Sequence, residues 1–532
     1  MSAVLRWSPF VVGATVLAAF TLPAGRVPGG DAPHILSIAH RLAAEVQAGA
    51  WADAYVHLGS LVTPHPPAGY LVPATLAALG LGAAVPVLTS LCGLAMCWHG
   101  LLLLRRDDKP EVPLWAGLLL LSSGMVWAMV DRMSWDLLAA GMVTATLGHL
   151  HASDGLRCTH HTAMAAFFGA LGCLTKFTVP VFLLLPGLVV LLCAIRLRQW
   201  AGIAVGVAVF AGVAGPWLAG HLDQVLSYVA SSTDPSRTIS ESPAAAWASR
   251  LSWDNLSYTV RVFRDAVGWP GLILLALCGG GLAHRGARLA SAGALGGMLL
   301  LTFAGERQAR YLAPALPLLC LLIDAGLSGG MGRTTGRWAR RITLGGCMAT
   351  LYCAAATSWV HSSPPQVRDQ TPAPLSSWAG WPWPATAFKP TGLQLERWKV
   401  SEAIDAMSQT CASGSTVGIL VPRSPENPRG SAYAYTAALA GHHWTWATVG
   451  QTPQGDPMVF LGPFTTEGAP RQFDVAYVVR RPGQRTVLDE LPQTTLQRHT
   501  LPDGYEGALI KIPSMAWDLP AAQRILQDPM KR

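Results

Sequence analysis

The sequence predicts an all-α polytopic membrane domain followed by a small α/β domain. Hydrophobic residues make up 51% of the 532 positions, charged residues only 13%, and the mean hydropathy is positive. Apolar runs of about 20 residues, the length that spans a bilayer, recur up to about residue 360. From His361 the composition changes. We therefore expect a membrane domain at residues 1–360, a Pro- and Trp-rich linker at 361–392, and an extracytoplasmic α/β domain at 393–532.

The charge pattern argues against nucleic-acid binding, and the cysteine positions argue against a metal site. The net charge of +8 is modest, and Lys and Arg lie mainly in short loops, which is the pattern of membrane topology rather than of nucleic-acid binding. Most of the ten cysteines lie in apolar runs, where they act as small hydrophobic residues. The sequence has no CxxC or His/Cys metal spacing, so it indicates no metal site.

One polar loop, Arg26–Tyr70, interrupts the apolar sequence. It opens with a Gly-Gly-Asp turn ending at Asp31, and it closes at His65, which precedes two prolines. Between them lie two amphipathic stretches with helical spacing, Ala32–Ala48 and Trp51–Leu61. A carboxylate at the mouth of an apolar segment is costly unless it is solvated, paired or used. We expect Asp31 to have a functional role.

The topology depends on two decisions. Met1–Pro23 has the pattern of a signal peptide or of an uncleaved first span, and we favour the span because further apolar runs follow. Tyr70–Leu104 is long enough to cross twice, with Gly80 and Gly82 near its middle. A single crossing, Val87–Leu104, places the short basic loops inside, as the positive-inside rule prefers.

Eleven spans then place the N-terminus in the cytoplasm and the C-terminal domain outside. The predicted spans are Trp7–Leu22, Val87–Leu104, Pro113–Val130, Ser134–Leu150, Thr162–Thr175, Val179–Ile195, Trp200–Ala219, Trp269–Ala283, Leu289–Phe303, Leu312–Leu327 and Ile342–Val360. A second long outer loop, Gly220–Gly268, carries a predicted surface helix that starts near Ser242.

The C-terminal region alternates strand and helix patterns, which predicts an α/β domain. The predicted strands are Thr416–Val421, Thr445–Val449, Phe473–Val479, Leu496–Leu501 and Glu506–Ile512, the last two forming a hairpin, and the predicted helices are Leu393–Gln409, Ser431–Ala440 and Arg485–Leu491. Neither a GxGxxG motif nor a P-loop is present, so the sequence does not indicate nucleotide binding.

With this topology, charged residues from separate segments meet at the outer membrane surface. They are Asp31, His34, His65, Asp131, Asp136, Lys176, Arg307 and Arg310. A carboxylate can remove a proton from an incoming hydroxyl, and cations can stabilise a departing phosphate. Four of these residues also have a plainer explanation: a turn or cap for Asp31, a loop position for His65, snorkelling for Lys176, and interfacial anchoring for Arg310 together with Tyr311.

Motifs within residues 1–330 resemble a known family. They are Gly30-Asp31 in the first outer loop, His65-Pro66-Pro67-Ala68-Gly69-Tyr70 at its end, Ser134-Trp135-Asp136-Leu137-Leu138, Leu174-Thr175-Lys176, and Arg307-x-x-Arg310-Tyr311-Leu312-x-Pro314. In this order and spacing they resemble the GT-C membrane glycosyltransferases, specifically the protein O-mannosyltransferase and lipid A aminoarabinose-transferase group.

The resemblance implies an inverting transfer from a polyprenyl-phosphate sugar donor on the outer face of the bacterial inner membrane. Asp31 is implied as the general base, and Lys176, Arg307 and Arg310 as the groups that hold the donor phosphate. His34, Asp131 and Tyr311 complete the implied substrate-binding set, with Asp136 shaping the site or binding acceptor or cation and His65 positioning the loop. The acceptor stays open between glycan, lipid and protein. No cofactor is fixed, and a divalent cation is left as an alternative.

Two other functions are compatible with a many-pass chain. A lipid-linked-sugar flippase or transporter would place ionisable residues near the bilayer midplane, whereas these spans are nearly devoid of charge and the charges sit at the outer rim. A binding protein whose tail does the work would need far fewer spans. We therefore predict a membrane glycosyltransferase.

Overall fold

A computed structural model describes most of the helical region and parts of the C-terminal region. The described residues are 3–21, 32–61, 66–105, 112–133, 135–233, 284–302, 309–330, 336–348, 400–411, 416–420, 445–451, 457–461, 475–480, 493–501 and 506–511, with single positions 252, 253, 257, 275, 282 and 440. The chain divides into two compact units. Unit 1 comprises Met1–Ala24, Val62–Val72 and Ala84–Pro390, and unit 2 comprises Gly25–Leu61, Pro73–Ala83 and Thr391–Arg532.

Unit 1 is helical throughout its described elements, as its apolar runs predict. Its helices are α1 (Ala3–Thr21), the start of α4 (Ala68–Ala78), α5 (Val85–Leu104), α6 (Leu114–Ser122), α7 (Gly124–Arg132), α8 (Trp135–Ala152), α9 (Thr159–Cys173), α10 (Val179–Arg196), α11 (Trp200–Thr233), α12 (Arg285–Thr302) and α13 (Ala315–Ala325). Residues 336–348 are also helical. Almost every residue of α8 is buried, so this helix forms the centre of the unit.

Helices α5 and α8 pack against each other along their whole length because paired glycines allow their backbones to touch. A Cβ added at Gly93 would lie 2.6 Å from the Leu137 carbonyl oxygen, and one at Gly148 would lie 2.7 Å from the Gly100 carbonyl oxygen. Small residues at a helix interface permit this close approach, which membrane-embedded helices use to gain van der Waals contact.

Three histidines join α5, α8 and α9 at the end of α8 opposite to Trp135. Ring nitrogens of His99 and His149 lie 3.1 Å apart, and those of His149 and His161 lie 3.0 Å apart. Each contact places a donor and an acceptor nitrogen together when the rings carry complementary tautomers. Phe168 stacks on His149, so the ring at the centre of the polar chain also packs against an apolar side chain.

The predicted span Pro113–Val130 is wrong as one continuous helix. Ser123 has extended backbone angles (φ −67°, ψ 124°) and separates α6 from α7. Polar side chains beside the break satisfy carbonyl groups that the helix would otherwise bond: the Ser122 hydroxyl donates to the Leu119 carbonyl, and the Trp127 indole donates to the Leu121 carbonyl. Such compensation makes a broken helix tolerable in an apolar environment.

Helix α11 is longer than the predicted span Trp200–Ala219, because it continues to Thr233 through the start of the predicted loop Gly220–Gly268. Pro216 lies inside this helix without ending it. The residues after Pro216 supply enough helix-forming character to continue the turn, and hydropathy alone marks only where an apolar run stops. The predicted surface helix near Ser242 and the predicted span Trp269–Ala283 lie outside the described residues apart from single positions.

Three helices within the described residues are long and apolar enough to cross a bilayer. They are Gly82–Leu104, Val179–Arg196 and Trp200–Ser227. The first agrees with a break between α4 and α5, where Gly80 (φ +76°) and Gly82 (φ +44°) adopt left-handed angles that favour glycine. The count of eleven spans, their orientation and the domain boundaries at residues 360 and 392 stay predictions, and both boundaries lie outside the described residues.

Unit 2 contains the two amphipathic helices of the first polar loop, α2 (Ala32–Gln47) and α3 (Trp51–Ser60), close to the predicted bounds. His57 Nδ1 donates to the Glu45 carboxylate at 2.7 Å, and Arg41 reaches both Glu45 (3.2 Å) and His57 Nε2 (3.3 Å). This three-residue ring fixes α3 against α2. It leaves Trp51 and Tyr55 exposed on the other side of α3.

The C-terminal part of unit 2 is a six-stranded mixed sheet within the described residues, with strand order β3-β2-β1-β4-β6-β5. The strands are β1 (Thr416–Leu420), β2 (Thr445–Gln451), β3 (Pro457–Leu461), β4 (Val475–Arg480), β5 (Thr494–Thr500) and β6 (Glu506–Lys511), and helix α14 (Val400–Ser408) accompanies them. The antiparallel β5–β6 hairpin is confirmed. Strand β3, which pairs antiparallel with β2 at the edge of the sheet, was not predicted from the sequence.

Among the described residues, the buried core of this sheet is apolar apart from the hydroxyl of Tyr477. Tyr477 on β4 is fully buried, and burial raises the pKa of its hydroxyl well above the usual range. Gly507 on the neighbouring strand β6 lies against the Tyr477 hydroxyl, so a side chain at that position would collide with it. The predicted helices Ser431–Ala440 and Arg485–Leu491 lie outside the described residues, apart from the single position 440.

Candidate functional site

An ion pair joins α8 to the turn between α9 and α10 in unit 1. Lys176 Nζ donates to the carboxylate of Asp136, the second residue of α8. The Asp136 side chain is 2% exposed and that of Lys176 is 19% exposed. A buried carboxylate needs such a partner, and its place in the first turn also suits the positive end of the α8 dipole.

The aromatic ring of Tyr311 lies beside the same lysine. Lys176 Nζ is 4.9 Å from the ring centroid, and the Arg310 guanidinium carbon is 5.6 Å from it. Both distances are within the range of cation–π attraction. A short 3₁₀ segment, Ala309–Leu312, carries Arg310 and Tyr311 immediately before α13. Both cations therefore lie within about 6 Å of the centre of one ring.

The first residues of α4 contact the two segments that carry this ion pair. The Ala68 backbone N–H donates to the Leu174 carbonyl at 2.8 Å, two residues before Lys176. The Tyr70 ring meets the Trp135 ring edge-on, with centroids 4.7 Å apart and planes at 85°, and Trp135 directly precedes Asp136. Ala68, Tyr70 and Trp135 are all buried.

Four of the predicted site residues thus lie together in unit 1: Asp136, Lys176, Arg310 and Tyr311. The side chains of the other five predicted site residues lie outside the part of the chain that the structure describes. Asp31, His65 and Arg307 lie outside the described residues, while His34 in α2 and Asp131 in α7 have described backbones but not described side chains. The roles assigned to all nine residues stay predictions.

Sequence reasoning missed the supporting contacts around the pair. Gly69, Tyr70 and Trp135 occur inside the motifs that carried the family resemblance, but no role was assigned to them. The available signal was the juxtaposition of a small residue and an aromatic residue directly after two prolines, in Ala68-Gly69-Tyr70. Nothing local in that signal shows that Trp135 is the partner, because the two segments are far apart in the chain.

The arrangement is suited to binding an anion. Lys176 and Arg310 offer charged donors of the kind that bind phosphate, and both are only partly buried. The Asp136 carboxylate offsets part of the positive charge, so Lys176, Arg310 and Asp136 together keep a positive net charge. That net charge is small enough for the folded protein to accommodate. Among the described residues, no three His, Cys, Asp or Glu side chains converge in a way that would hold a metal ion.

Comparison with known proteins finds a matching family model and solved structures of the same fold. The model of glycosyltransferase family 87 matches residues 63–327, just under half of the chain. No curated protein sequence is similar enough to give a match. Two crystal structures of ArnT from Cupriavidus metallidurans, one in the apo state and one bound to undecaprenyl phosphate, share the fold. In each case the TM-score is 0.59, the sequence identity is 14%, and the match covers 97% of this chain and 99% of the other.

At 14% identity the likeness to ArnT establishes the fold alone. The support for an activity comes from the match to glycosyltransferase family 87. The matched segment contains Asp136, Lys176, Arg310 and Tyr311. The flippase or transporter alternative is not favoured by these similarities. Over residues 63–327 the chain is similar to glycosyltransferase family 87, which supports glycosyltransferase activity, and over 97% of its length it shares the fold of ArnT.

Proposed function

We propose that this glycosyltransferase takes its sugar from a polyprenyl-phosphate donor. The observation that carries the proposal is the pair of cations, Lys176 and Arg310, gathered on the ring of Tyr311. A phosphate monoanion attached to a lipid needs cationic donors at the edge of an apolar helical unit, and this cluster supplies them. One ArnT structure of the same fold contains undecaprenyl phosphate, which supports the same class of donor.

In the proposed reaction the acceptor hydroxyl loses its proton to Asp31, and the hydroxyl oxygen attacks the anomeric carbon from the face opposite the phosphate. The bond from that carbon to the phosphate oxygen breaks, and the polyprenyl phosphate departs with the electron pair. The configuration at the anomeric carbon is inverted. Lys176, Arg307 and Arg310 stabilise the charge that develops on the leaving phosphate.

The remaining assignments complete the proposal. Asp136 holds Lys176 in place, Tyr311 holds both cations, and His34, His65 and Asp131 contact donor or acceptor. The transfer takes place on the outer face of the inner membrane, where the positive-inside rule puts the segment containing Lys176. The acceptor is a hydroxyl-bearing glycan, lipid or protein. A divalent cation stays an alternative participant, and addition of a chelator to the assay tests whether one takes part.

The test uses purified full-length protein in lipid nanodiscs with a panel of polyprenyl-phosphate sugars. We expect consumption of one donor, release of polyprenyl phosphate, and appearance of a glycosylated product. Arg310→Gln should reduce the turnover of that donor by about 100-fold, in line with the loss of a charged transition-state contact. Arg288→Gln, which removes an exposed arginine at the start of α12, should be unchanged.

Two results would overturn the proposal. One is a wild-type protein that turns over a nucleotide sugar but none of the lipid-linked donors. The other is an Arg310→Gln variant that is folded and as active as Arg288→Gln.

A further inference from the structure

The segment Ala68-Gly69-Tyr70 contacts a residue close in sequence to each member of the Lys176–Asp136 pair. On one side, Ala68 N–H donates to the Leu174 carbonyl, within the turn that leads to Lys176. On the other side, Gly69 and Tyr70 rest on the ring of Trp135, the residue before Asp136. One short stretch of backbone therefore contacts both the start of α8 and the turn that leads to Lys176. The distance between these two elements determines whether Asp136 and Lys176 can pair.

The contact at Gly69 leaves no spare room. A Cβ built on Gly69 would lie 3.1 Å from each of three ring atoms of Trp135, closer than ordinary carbon–carbon contact, so the ring would have to shift by a few tenths of an ångström. The Trp135 ring is itself confined, because it is 4% exposed and the buried Tyr70 ring lies edge-on to it. A displacement of Trp135 would pass directly to Asp136, the next residue of α8.

We propose that Gly69, with Tyr70 and Trp135, positions Asp136 against Lys176 for the transfer reaction, and this inference rests on the proposed function of Lys176. Gly69 touches neither donor nor acceptor in this scheme, so it is a positioning residue. Its glycine identity matters because only the absence of a side chain lets the α4 backbone lie on the indole ring. Small displacements at a reacting centre cost a large part of the rate.

The test compares Gly69→Ala with Gly187→Ala. Gly187 lies in α10, and a Cβ there would meet nothing within 4 Å. With saturating lipid-linked donor, we expect kcat to fall about tenfold in Gly69→Ala, with the KM for acceptor unchanged, while Gly187→Ala keeps wild-type kinetics. Combining Gly69→Ala with Trp135→Phe, which makes room for the new methyl group, should restore kcat to within about twofold of Trp135→Phe alone.

A second measurement does not depend on activity. Melting temperatures are recorded for Asp136→Asn, Lys176→Gln and the double variant, first in the wild-type background and then in the Gly69→Ala background. The two single changes should be non-additive in the wild-type background, because the residues interact, and additive in the Gly69→Ala background, where the pair is disrupted. Should Gly69→Ala fail to accumulate, Tyr70→Leu, which removes the edge-on contact without adding bulk near Trp135, replaces it in both assays.

The outcomes separate the two proposals. If wild type transfers no sugar from a lipid-linked donor, the proposed function fails, and the melting cycle alone decides the positioning role. If wild type is active and Gly69→Ala matches Gly187→Ala in kcat, or if the non-additivity is the same in both backgrounds of the melting cycle, the positioning role is overturned. Loss of kcat without rescue by Trp135→Phe also contradicts it.

Discussion

Lys176 is bound to Asp136, a residue forty positions earlier in the chain, and the lysine ammonium also lies 4.9 Å from the centre of the Tyr311 ring. The pair joins the start of α8 to the turn after α9. A buried carboxylate and a partly buried ammonium hold each other in place, so the lysine has a fixed position before any substrate arrives. Such preorganised charge is more effective in catalysis than charge that must move into position.

Removal of the lysine should destabilise the protein strongly. Lys176→Met leaves the Asp136 carboxylate buried without its ammonium partner, and breaking one side of a buried pair costs about 3–5 kcal/mol. Chemical unfolding in mild detergent measures this loss. Replacing both residues, as Lys176→Met with Asp136→Leu, should recover most of the stability but no transfer activity. Stability of the single variant within error of wild type would contradict the buried pair.

Tyr311 should act through its ring rather than its hydroxyl. Tyr311→Phe keeps the ring that faces Lys176 and Arg310, so we expect its KM for the lipid-linked donor to stay within about twofold of wild type. Tyr311→Leu removes the ring, and the loss of about 1 kcal/mol of cation–π attraction should raise that KM about fivefold. Steady-state kinetics of the two variants provides the measurement. Equal effects of Phe and Leu would assign the role to the hydroxyl instead.

A second buried pair stabilises unit 1 away from the site. Arg105, which caps α5, lies 3.2 Å from the Asp324 carboxylate, and the other Asp324 oxygen accepts the backbone N–H groups of Trp115 and Ala116 at the start of α6. Arg105 is 5% exposed and Asp324 is 1% exposed. Asp324→Ala removes the partner of a buried guanidinium and the cap of α6, and should cost about 3–5 kcal/mol in unfolding experiments.

The matched control for Asp324 is an exposed aspartate. Asp154 pairs with Arg285 at 3.0 Å, but both side chains are more than half exposed. Asp154→Asn should therefore change stability by less than about 1 kcal/mol, because asparagine also tolerates the left-handed backbone at this position (φ +48°). Comparable losses in Asp154→Asn and Asp324→Ala would show that burial does not decide the strength of these pairs.

The Asp154 pair also has a defined pH dependence. The hydrogen bond from the Arg285 guanidinium holds the pKa of Asp154 below its usual value. Because the folded-state pKa is lower than the unfolded one, the small stabilisation is present above the unfolded pKa and is lost as the pH falls through the folded pKa. The difference in melting temperature between wild type and Asp154→Asn should accordingly shrink on acidification below about pH 4. A difference that grows on acidification would contradict this sign.

Contact between α5 and α8 should tolerate no added side chain at Gly100. A Cβ at this position would overlap the Thr144 carbonyl, so Gly100→Ala forces the two backbones apart and should destabilise the protein by about 1–3 kcal/mol. Gly212→Ala in α11, where a Cβ meets nothing within 4 Å, should be neutral or stabilising by up to about 1 kcal/mol. Thermal unfolding of both variants tests this contrast, and equal melting temperatures would contradict the close backbone contact.

The sequence by itself determined the class of protein and most helix positions in unit 1. Apolar runs bounded by Pro, Gly or charged residues predicted α8 and α10 within two residues at each end, because hydropathy and helix termination are local properties. The same local logic placed β1 and the β5–β6 hairpin. It also selected Asp136, Lys176, Arg310 and Tyr311 as candidates, through motifs that resemble the GT-C family.

Only the tertiary structure decided which of these residues meet. These contacts depend on the distances between helices, which no single stretch of sequence encodes. They are the Lys176–Asp136 ion pair, the Tyr311 ring near both cations, and the packing of Gly69 on Trp135. The break at Ser123 was hidden for the same reason: its cost is offset by the Ser122 hydroxyl and the Trp127 indole, and hydropathy does not register such hydrogen bonds. Local periodicity fixes where a helix forms, while side-chain packing between helices fixes what each residue touches.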